Sequence, residues 1–321
     1  MINNKVFYIY NMNSKIATVY RSTGSWYLLK VADGTFTEAR IKGVFRTKGI
    51  RTTNPVAVGD KVKINIDENN NGMITDIIPR NNYIIRKSVN LSKESHIIAS
   101  NIDLCVLVST ISNPVTLPGF IDRFSVTTQA YGIPLLIVFN KIDIYDKEDE
   151  AKLDNYFSVY EKAGCSCFKT SAINGVGIPE LKERLINKVT LFAGNSGSGK
   201  SSLINALDPD IDLKVGEISE THLKGKHTTT FAEMFDLGSH SQIIDTPGIK
   251  SFGLIDFEKD ELAMYFPEML SLLKQCKYHN CRHINEPDCA VIKAVGSGKI
   301  SELRYQSYLS MYNNDDQENY R

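Results

Sequence analysis

The 321-residue chain carries 37 basic and 37 acidic side chains, so its overall charge does not point to nucleic acid, and its length suffices for two or three units that each bury a core. It has neither a basic start followed by an apolar run and a cleavage site nor about 18 consecutive apolar residues, so secretion and membrane spanning are not expected and a cytoplasmic monomer is. Six cysteines in such a chain are thiols or metal ligands rather than a disulfide framework, and Cys105, Cys165 and Cys167 stand apart from Cys276, Cys281 and Cys289.

Charge is uneven locally. Residues 1–98 hold 15 basic side chains against 7 acidic ones, which suits a phosphate-backbone partner and equally a solvated basic surface. From about Lys15 to Pro79 short β-rich runs alternate with turn residues. Ser25 to Val31 and Thr35 to Ile41 flank Asp33-Gly34, and Lys61 to Ile66 and Met73 to Ile78 flank a linker ending in Asn71-Gly72. Both dipeptides suit the positive φ of tight hairpins. A small barrel of five or so strands follows, an oligonucleotide-binding (OB) barrel being one candidate, assigned to residues 1–88.

Beyond Arg86 apolar strands alternate with helical segments. Ile102 to Val108, Pro134 to Phe139, Cys167 to Thr170, Val189 to Ala193 and Gln242 to Ile244 read as strands. Pro118 to Tyr131, Glu148 to Ala163, Ile178 to Ile186 and Lys200 to Leu207 read as helices. This alternation predicts an α/β unit, residues 89–253, with a mostly parallel sheet covered on both faces. From residue 254 to 321 a helical unit is expected, with helices over Lys259 to Cys276, interrupted near Pro267, and over Ser301 to Tyr312.

Gly194-Asn195-Ser196-Gly197-Ser198-Gly199-Lys200-Ser201 lies between an apolar strand and a helix and matches the phosphate-loop pattern. Glycines let backbone N–H groups close around phosphates, and the helix start adds a favourable dipole. Lys200 reaches the β and γ phosphates, and the Ser201 hydroxyl suits Mg²⁺. The loop alone does not choose between ATP and GTP. Asn140-Lys141-Ile142-Asp143, directly after a strand, does: Asp143 can accept from guanine N1 and N2, Asn140 can support the base and the loop, and the Lys141 stem can cover the base. Ser171 and Ala172 of Thr170-Ser171-Ala172 add backbone contact to the guanine oxygen.

Asp245-Thr246-Pro247-Gly248 supplies a carboxylate for Mg²⁺ and, at Gly248, an N–H that senses the γ-phosphate. In Lys226-His227-Thr228-Thr229-Thr230, one threonine, with Thr229 the candidate, completes the Mg²⁺ shell. Ile249 stands where a Ras-type glutamine would orient water, so slow intrinsic hydrolysis is expected. His227 is the local candidate for that task, against its being a surface histidine in a mobile loop. The base-reading motif precedes the phosphate loop, an inversion that marks a circularly permuted nucleotide switch. Near the C-terminus, Cys276, Cys281, His283 and Cys289 form a Cys₃His set suited to one structural, tetrahedral Zn²⁺, with His279 an alternative to His283.

Taken together, the order NKID, TSA, GNSGSGKSS, HTTT, DTPG, with the segment CKYHNCRHINEPDC, closely resembles the bacterial small ribosomal subunit biogenesis GTPases of the RsgA (YjeQ) family over nearly the whole chain. The resemblance implies an OB-type barrel, a circularly permuted P-loop G domain and a zinc-binding domain. It also implies contact with ribosomal RNA and GTP hydrolysis stimulated by the small subunit, and it extends the phosphate loop through Ser202. A permuted GTPase acting on the large subunit or another RNA assembly, and a nucleotide-binding interaction module, are the rival readings.

Overall fold

The computed structural model describes residues 14–41, 55–67, 71–87, 95–213, 232–238, 240–246 and 258–313. Strands β1 (Lys15–Ser22), β2 (Tyr27–Val31), β3 (Phe36–Ile41), β4 (Lys61–Ile66) and β5 (Gly72–Ile77) follow one another near the N-terminus. They hydrogen-bond in the order β1-β2-β3-β5-β4, and β4 returns to β1, so the sheet closes on itself as a five-stranded barrel of OB type. Alternating burial follows from the two-residue repeat, and Val19, Tyr27, Leu29, Ala39, Val62, Ile64 and Ile74 fill the interior.

The two turn dipeptides have different fates. Gly34 sits at φ +86° in the β2–β3 hairpin, as expected. Gly72 is not in the positive-φ region but inside β5, where β3 and β5 run parallel and Ala39 pairs with it. A Cβ there would lie 2.9 Å from the Ala39 Cβ, so this glycine permits the close approach that shuts the barrel.

A two-stranded hairpin that the sequence reading missed, β6 (Tyr83–Lys87) with β7 (Ser95–Ser100), joins the barrel to the next unit through a bridge between Val58 and Ala99. The junction is locked by Asp60, a fully buried carboxylate. It accepts from Arg80 at 2.6 and 2.7 Å, from the Ser100 hydroxyl at 2.6 Å and from the Ala57 N–H at 2.8 Å.

The α/β unit contains β8 (Leu104–Ser109), α1 (Pro118–Ala130), β9 (Leu135–Phe139), α2 (Lys147–Lys162), β10 (Ser166–Lys169), α3 (Ile178–Arg184), β11 (Val189–Gly194), α4 (Lys200–Leu207), β12 (Glu233–Asp236) and β13 (Gln242–Asp245). The order is β10-β9-β8-β11-β13-β12, parallel except for β12. Successive residues of β8 face opposite layers. Cys105 and Leu107 pack with Phe120, Ile121 and Phe124 of α1, whereas Val106 and Val108 pack with Leu181 of α3 and Leu203 and Ile204 of α4. β12 was not expected from sequence. Through one pairing, Arg21 with Glu233, it also joins β1, so barrel and α/β sheet form a single eleven-stranded sheet. Tyr20 donates to Asp236 at 2.7 Å and Lys30 reaches the same carboxylate at 2.5 Å.

The C-terminal region is less regular than expected. The segment Lys259 to Cys276 is not one interrupted helix but two 3₁₀ turns, Lys259–Tyr265 and Leu273–Gln275, around the single turn α5 (Pro267–Leu270). Pro267 has no N–H to continue a ladder, and Phe266 before it is extended. Helices α6 (Ala290–Gly296) and α7 (Glu302–Asn313) follow, and all of these elements share a core with Val126 of α1.

Asp60→Ala strips a half-buried guanidinium, a buried hydroxyl and the Ala57 N–H of their acceptor, so the chain should lose about 3 kcal/mol of stability in equilibrium denaturation. A loss below about 1 kcal/mol would mean that the barrel–hairpin junction is held elsewhere.

Candidate functional site

The loops that follow β8, β9, β10, β11 and β13 gather at the carboxyl edge of the parallel strands. The chain runs outward from β8 to β9 and β10, then returns so that β11 lies against β8, and a crevice opens at such a reversal. NKID, TSA, the phosphate loop and Asp245, far apart and inverted in sequence, meet there.

Asn140 is the joint. It is buried, its Nδ2 donates to the Ser198 carbonyl at 3.1 Å, and its Oδ1 accepts from the Thr170 hydroxyl at 3.0 Å. Its side chain thus serves the loops. Asp143 Oδ1 accepts from the Ser171 hydroxyl at 2.6 Å, and that hydroxyl accepts from Asn174 N–H at 3.1 Å. The carboxylate is aimed by the TSA loop, and its second oxygen has no protein partner among the described residues. Ile142 N–H bonds to the Thr170 carbonyl at 3.2 Å, and Ala172 packs against the apolar cluster under the edge. Lys141 adopts φ +66° and donates through Nζ to the Asn113 carbonyl at 2.7 Å.

In the phosphate loop Gly197 and Gly199 adopt φ +83° and +85°, and Asn195 accepts from Ser198 N–H at 3.1 Å. A Cβ on Gly194 would sit 2.5 Å from the Val108 carbonyl, and one on Gly199 2.5 Å from Asn140 Nδ2. Ser196 is half-buried, and Ser201 and Ser202 open the first turn of α4. The buried Ser198 hydroxyl has no partner among the described residues, as suits a cradle that receives a polar group. Lys200, nine-tenths buried, pairs with Asp245 at the end of β13, and Thr246 donates to the Phe192 carbonyl at 2.9 Å. One cation and one carboxylate therefore face each other beneath the loop, groups able to hold a phosphate and a divalent cation. His227, Thr228, Thr229, Thr230, Gly248 and Ile249 lie outside the described residues.

Two contributors escaped the sequence reading. Tyr145 accepts from Ile111 N–H at 2.9 Å and donates to the Asn140 carbonyl at 2.7 Å. Burial first, with Asp149 and Asp143 nearby and the Ile111 N–H opposing, pushes this phenol up to about 12, so it remains a donor at neutral pH. The second is the loop 110–117, for which no motif gave a signal.

Cys276, Cys281, His283 and Cys289 bring four ligand atoms within 4.8 Å of one another. Cys276 Sγ lies 3.6 Å from His283 Nδ1 and 3.9 Å from Cys289 Sγ, and His283 Nδ1 lies 3.3 Å from Cys289 Sγ. A tetrahedral ion with metal–sulfur bonds of about 2.3 Å and a metal–nitrogen bond near 2.0 Å sets edges of roughly 3.5–3.8 Å. The donors fit. His279 is exposed and outside the group, so the geometry selects His283. Burial, reinforced by the Cys289 and Cys276 thiols against the His283 N–H, pushes the Cys281 thiol up to about 12. Metal capture therefore competes with protons and strengthens as pH rises.

Glu286, to which the sequence assigned no role, caps this knuckle. Its carboxylate accepts from the N–H groups of Arg282 at 2.7 Å, Ile284 at 2.9 Å and Asn285 at 3.1 Å. Burial would raise its pKa, but these donors override that and bring it down to about 2. Tyr305 and Tyr308 donate to the carbonyls of His283 and Arg282 at 2.7 and 2.6 Å, seating the knuckle on α7.

Comparison with known families decides the assignment. Residues 77–255 match the model of the RsgA GTPase family, and residues 17–74 that of the RsgA N-terminal domain. The chain belongs to the RsgA GTPase family. As a member it is a GTP-hydrolysing enzyme with a circularly permuted nucleotide-binding fold. It is 55% identical over 309 residues to the small ribosomal subunit biogenesis GTPase RsgA of Flavobacterium psychrophilum, covering 94% of each chain. To the protein of the same name from Bacteroides fragilis it is 52% identical over 303 residues, covering 94% of this chain and 98% of that one. Among solved structures, YjeQ from Thermotoga maritima superimposes with a TM-score of 0.78 at 31% identity, covering 94% and 98% of the two chains. YloQ, described as a circularly permuted GTPase, gives 0.73 at 27% identity, with 95% and 96% covered. No helix among the described residues is long and apolar enough to cross a membrane.

Gly199→Ala would force an L side chain into positive φ and against Asn140, so guanine nucleotide affinity should fall at least about tenfold in a fluorescent-nucleotide titration. Glu286→Ala should weaken metal affinity by about 10–100-fold in chelator competition, while nucleotide affinity stays unchanged.

Proposed function

We propose that this chain is a GTP-driven switch in late maturation of the small ribosomal subunit, acting as a cytoplasmic monomer that contacts ribosomal RNA. The observation that carries the reading is the staple from Asn140 to Ser198 and Thr170, which joins a base-reading loop, a phosphate loop and the TSA loop in permuted order. The naming of the relatives as small ribosomal subunit biogenesis GTPases supports the choice of partner.

In this reading Asp143 accepts from guanine N1 and N2, aimed by Ser171, and the Lys141 stem covers the base. Asn140, Ile142, Ser171 and Ala172 shape that side of the site, and Gly194 to Ser202 surround the phosphates with N–H donors. Lys200 exchanges Asp245 for phosphate oxygens. Asp245 and the Ser201 hydroxyl, with one threonine of 228–230, Thr229 being the candidate, would hold Mg²⁺, which neutralises phosphate charge when bound. Gly248 reports the γ-phosphate. Ile249 has no group to orient water, so intrinsic turnover is slow, and His227 or the ribosomal partner supplies that function.

Zinc is the ion proposed for the Cys₃His cluster. Four protein donors leave no open position, so its role is structural. A division into a barrel at 1–88, a G domain at 89–253 and a zinc unit at 254–321 accompanies this reading. The GTP form grips the immature subunit and the GDP form leaves; equal affinity of both forms would overturn that step.

The deciding experiment is the GTPase rate with and without purified small subunits. Stimulation by small but not large subunits is expected, whereas stimulation by large subunits alone would move the protein to the other particle. Lys200→Ala should abolish turnover with the fold intact. Asp143→Ala should lower the preference for GTP over ATP by at least about 100-fold, since the buried polar contacts to guanine would be lost.

A further inference from the structure

The loop Thr110–Leu117 touches both halves of the nucleotide crevice. Its Asn113 carbonyl holds the Lys141 ammonium, its Ile111 N–H is tied through the Tyr145 hydroxyl to Asn140, and Ser112 donates to Asp149 at 2.6 Å. On the other side Pro114 packs on the phosphate loop, where a Cβ on Gly197 would meet its ring at 3.4 Å. The loop lies where β8 and β11 adjoin, at the reversal of the sheet order.

It is also built as one piece. Thr110 N–H bonds to the Thr116 hydroxyl at 3.0 Å, Thr116 N–H returns to the Thr110 carbonyl at 2.9 Å, and the Thr110 hydroxyl donates to the Pro114 carbonyl at 2.5 Å. Leu117 then occupies the N-cap position of α1, with Pro118 at the first helical position. A displacement of this closed loop therefore carries the helix start with it.

Helix α1 belongs to two cores at once. Phe120, Ile121 and Phe124 pack on the sheet, and Val126 packs in the C-terminal core. Between them the fully buried Asp122 accepts from Arg304 of α7 at 2.7 Å, and Arg304 forks onto Glu268 of α5 at 2.7 and 3.1 Å. Phe266 lies under the guanidinium, 4.8 Å from ring centroid to Cζ. A buried ion triad often adds little net stability over apolar packing of the same volume, but displacing one member leaves the others buried and unpaired.

We propose that Thr110–Leu117 is a further nucleotide-positioning element with Tyr145 as its positioning residue, and that α1 and Arg304 couple nucleotide affinity to the seating of the C-terminal unit. This inference rests on the guanine nucleotide reading above. Coupling of this kind is reciprocal: what the crevice does to the joint, the joint does to the crevice.

The test uses the full, metal-loaded chain. Hydrogen exchange with and without GDP should change protection in the loop, in α1 and in the Arg304 turn of α7 together. Tyr145→Phe should raise the GDP dissociation constant and the KM for GTP at least about fivefold while kcat changes less than twofold, and Arg304→Lys should shift GDP affinity by at least about fivefold with metal content unchanged. Unchanged GDP affinity in Tyr145→Phe, or GDP binding that leaves α7 exchange untouched in the wild-type chain, overturns the inference while the nucleotide reading stands. If Arg304→Lys does not fold, the wild-type exchange result decides alone. Wild-type protein that binds no GDP removes the nucleotide reading and this inference with it.

Discussion

Everything at the nucleotide crevice depends on the side chain of Asn140. Its amide bonds to the phosphate loop through Ser198 and to the TSA loop through Thr170, and the backbone carbonyl of the same residue accepts from the Tyr145 hydroxyl. Because these bonds are buried, an orphaned partner would cost more than an exposed one, so the three loops are ordered as a set. Gly199 is required by the same joint, since any Cβ there would strike the amide. A permuted chain can rebuild the crevice because the joint needs proximity at a sheet edge and is indifferent to the order in which the loops are strung.

The sequence order suggests that Asp245 to Gly248, running almost directly into the C-terminal unit, is the route by which nucleotide state reaches it. The packing adds a different attachment: α1, buried on both sides, carries Val126 and Asp122 into the C-terminal core. The Cys₃His knuckle stands on α7 through Tyr305 and Tyr308, and α7 stands on α1 through Arg304. The C-terminal unit is therefore fastened to the body of the sheet and does not hang from the linker alone.

Motifs whose chemistry demands particular residues at fixed spacing were legible in the sequence: the phosphate loop, NKID and Asp245 gather at one sheet edge, and the Cys₃His residues cluster. Strands with continuous apolar runs were legible as well, such as β8, β9 and β11. What escaped is tertiary. β12 is four residues long and owes its place to pairing with β13, while the β6–β7 hairpin has no tight-turn signature. Gly72 looked like a turn residue because Asn-Gly favours one, yet the contact that requires it is with Ala39, a residue on another strand. Asp60, Asp122 and Arg304 gave no signal in the sequence, since nothing local reveals partners 20 to 182 positions away. Glu286 was hidden for the opposite reason: its donors are immediate neighbours, and a turn-rich string gives no hint that their N–H groups converge.

Closure of the barrel also governs how the molecule meets copies of itself. An open sheet presents unpaired N–H and C=O groups along both outer strands, and these recruit further strands. Here β4 is consumed by pairing with β1, while β12 meets β1 only through Arg21 and Glu233, so among the described strands the large sheet keeps two short outer edges, most of β12 and, at the far end, β10. That strand is four residues long and ends in Lys169, whose ammonium pairs with Asp154 on α2. Among its described strands an eleven-stranded sheet thus offers only short templates for edge-to-edge pairing, a form of colloidal protection that comes from topology.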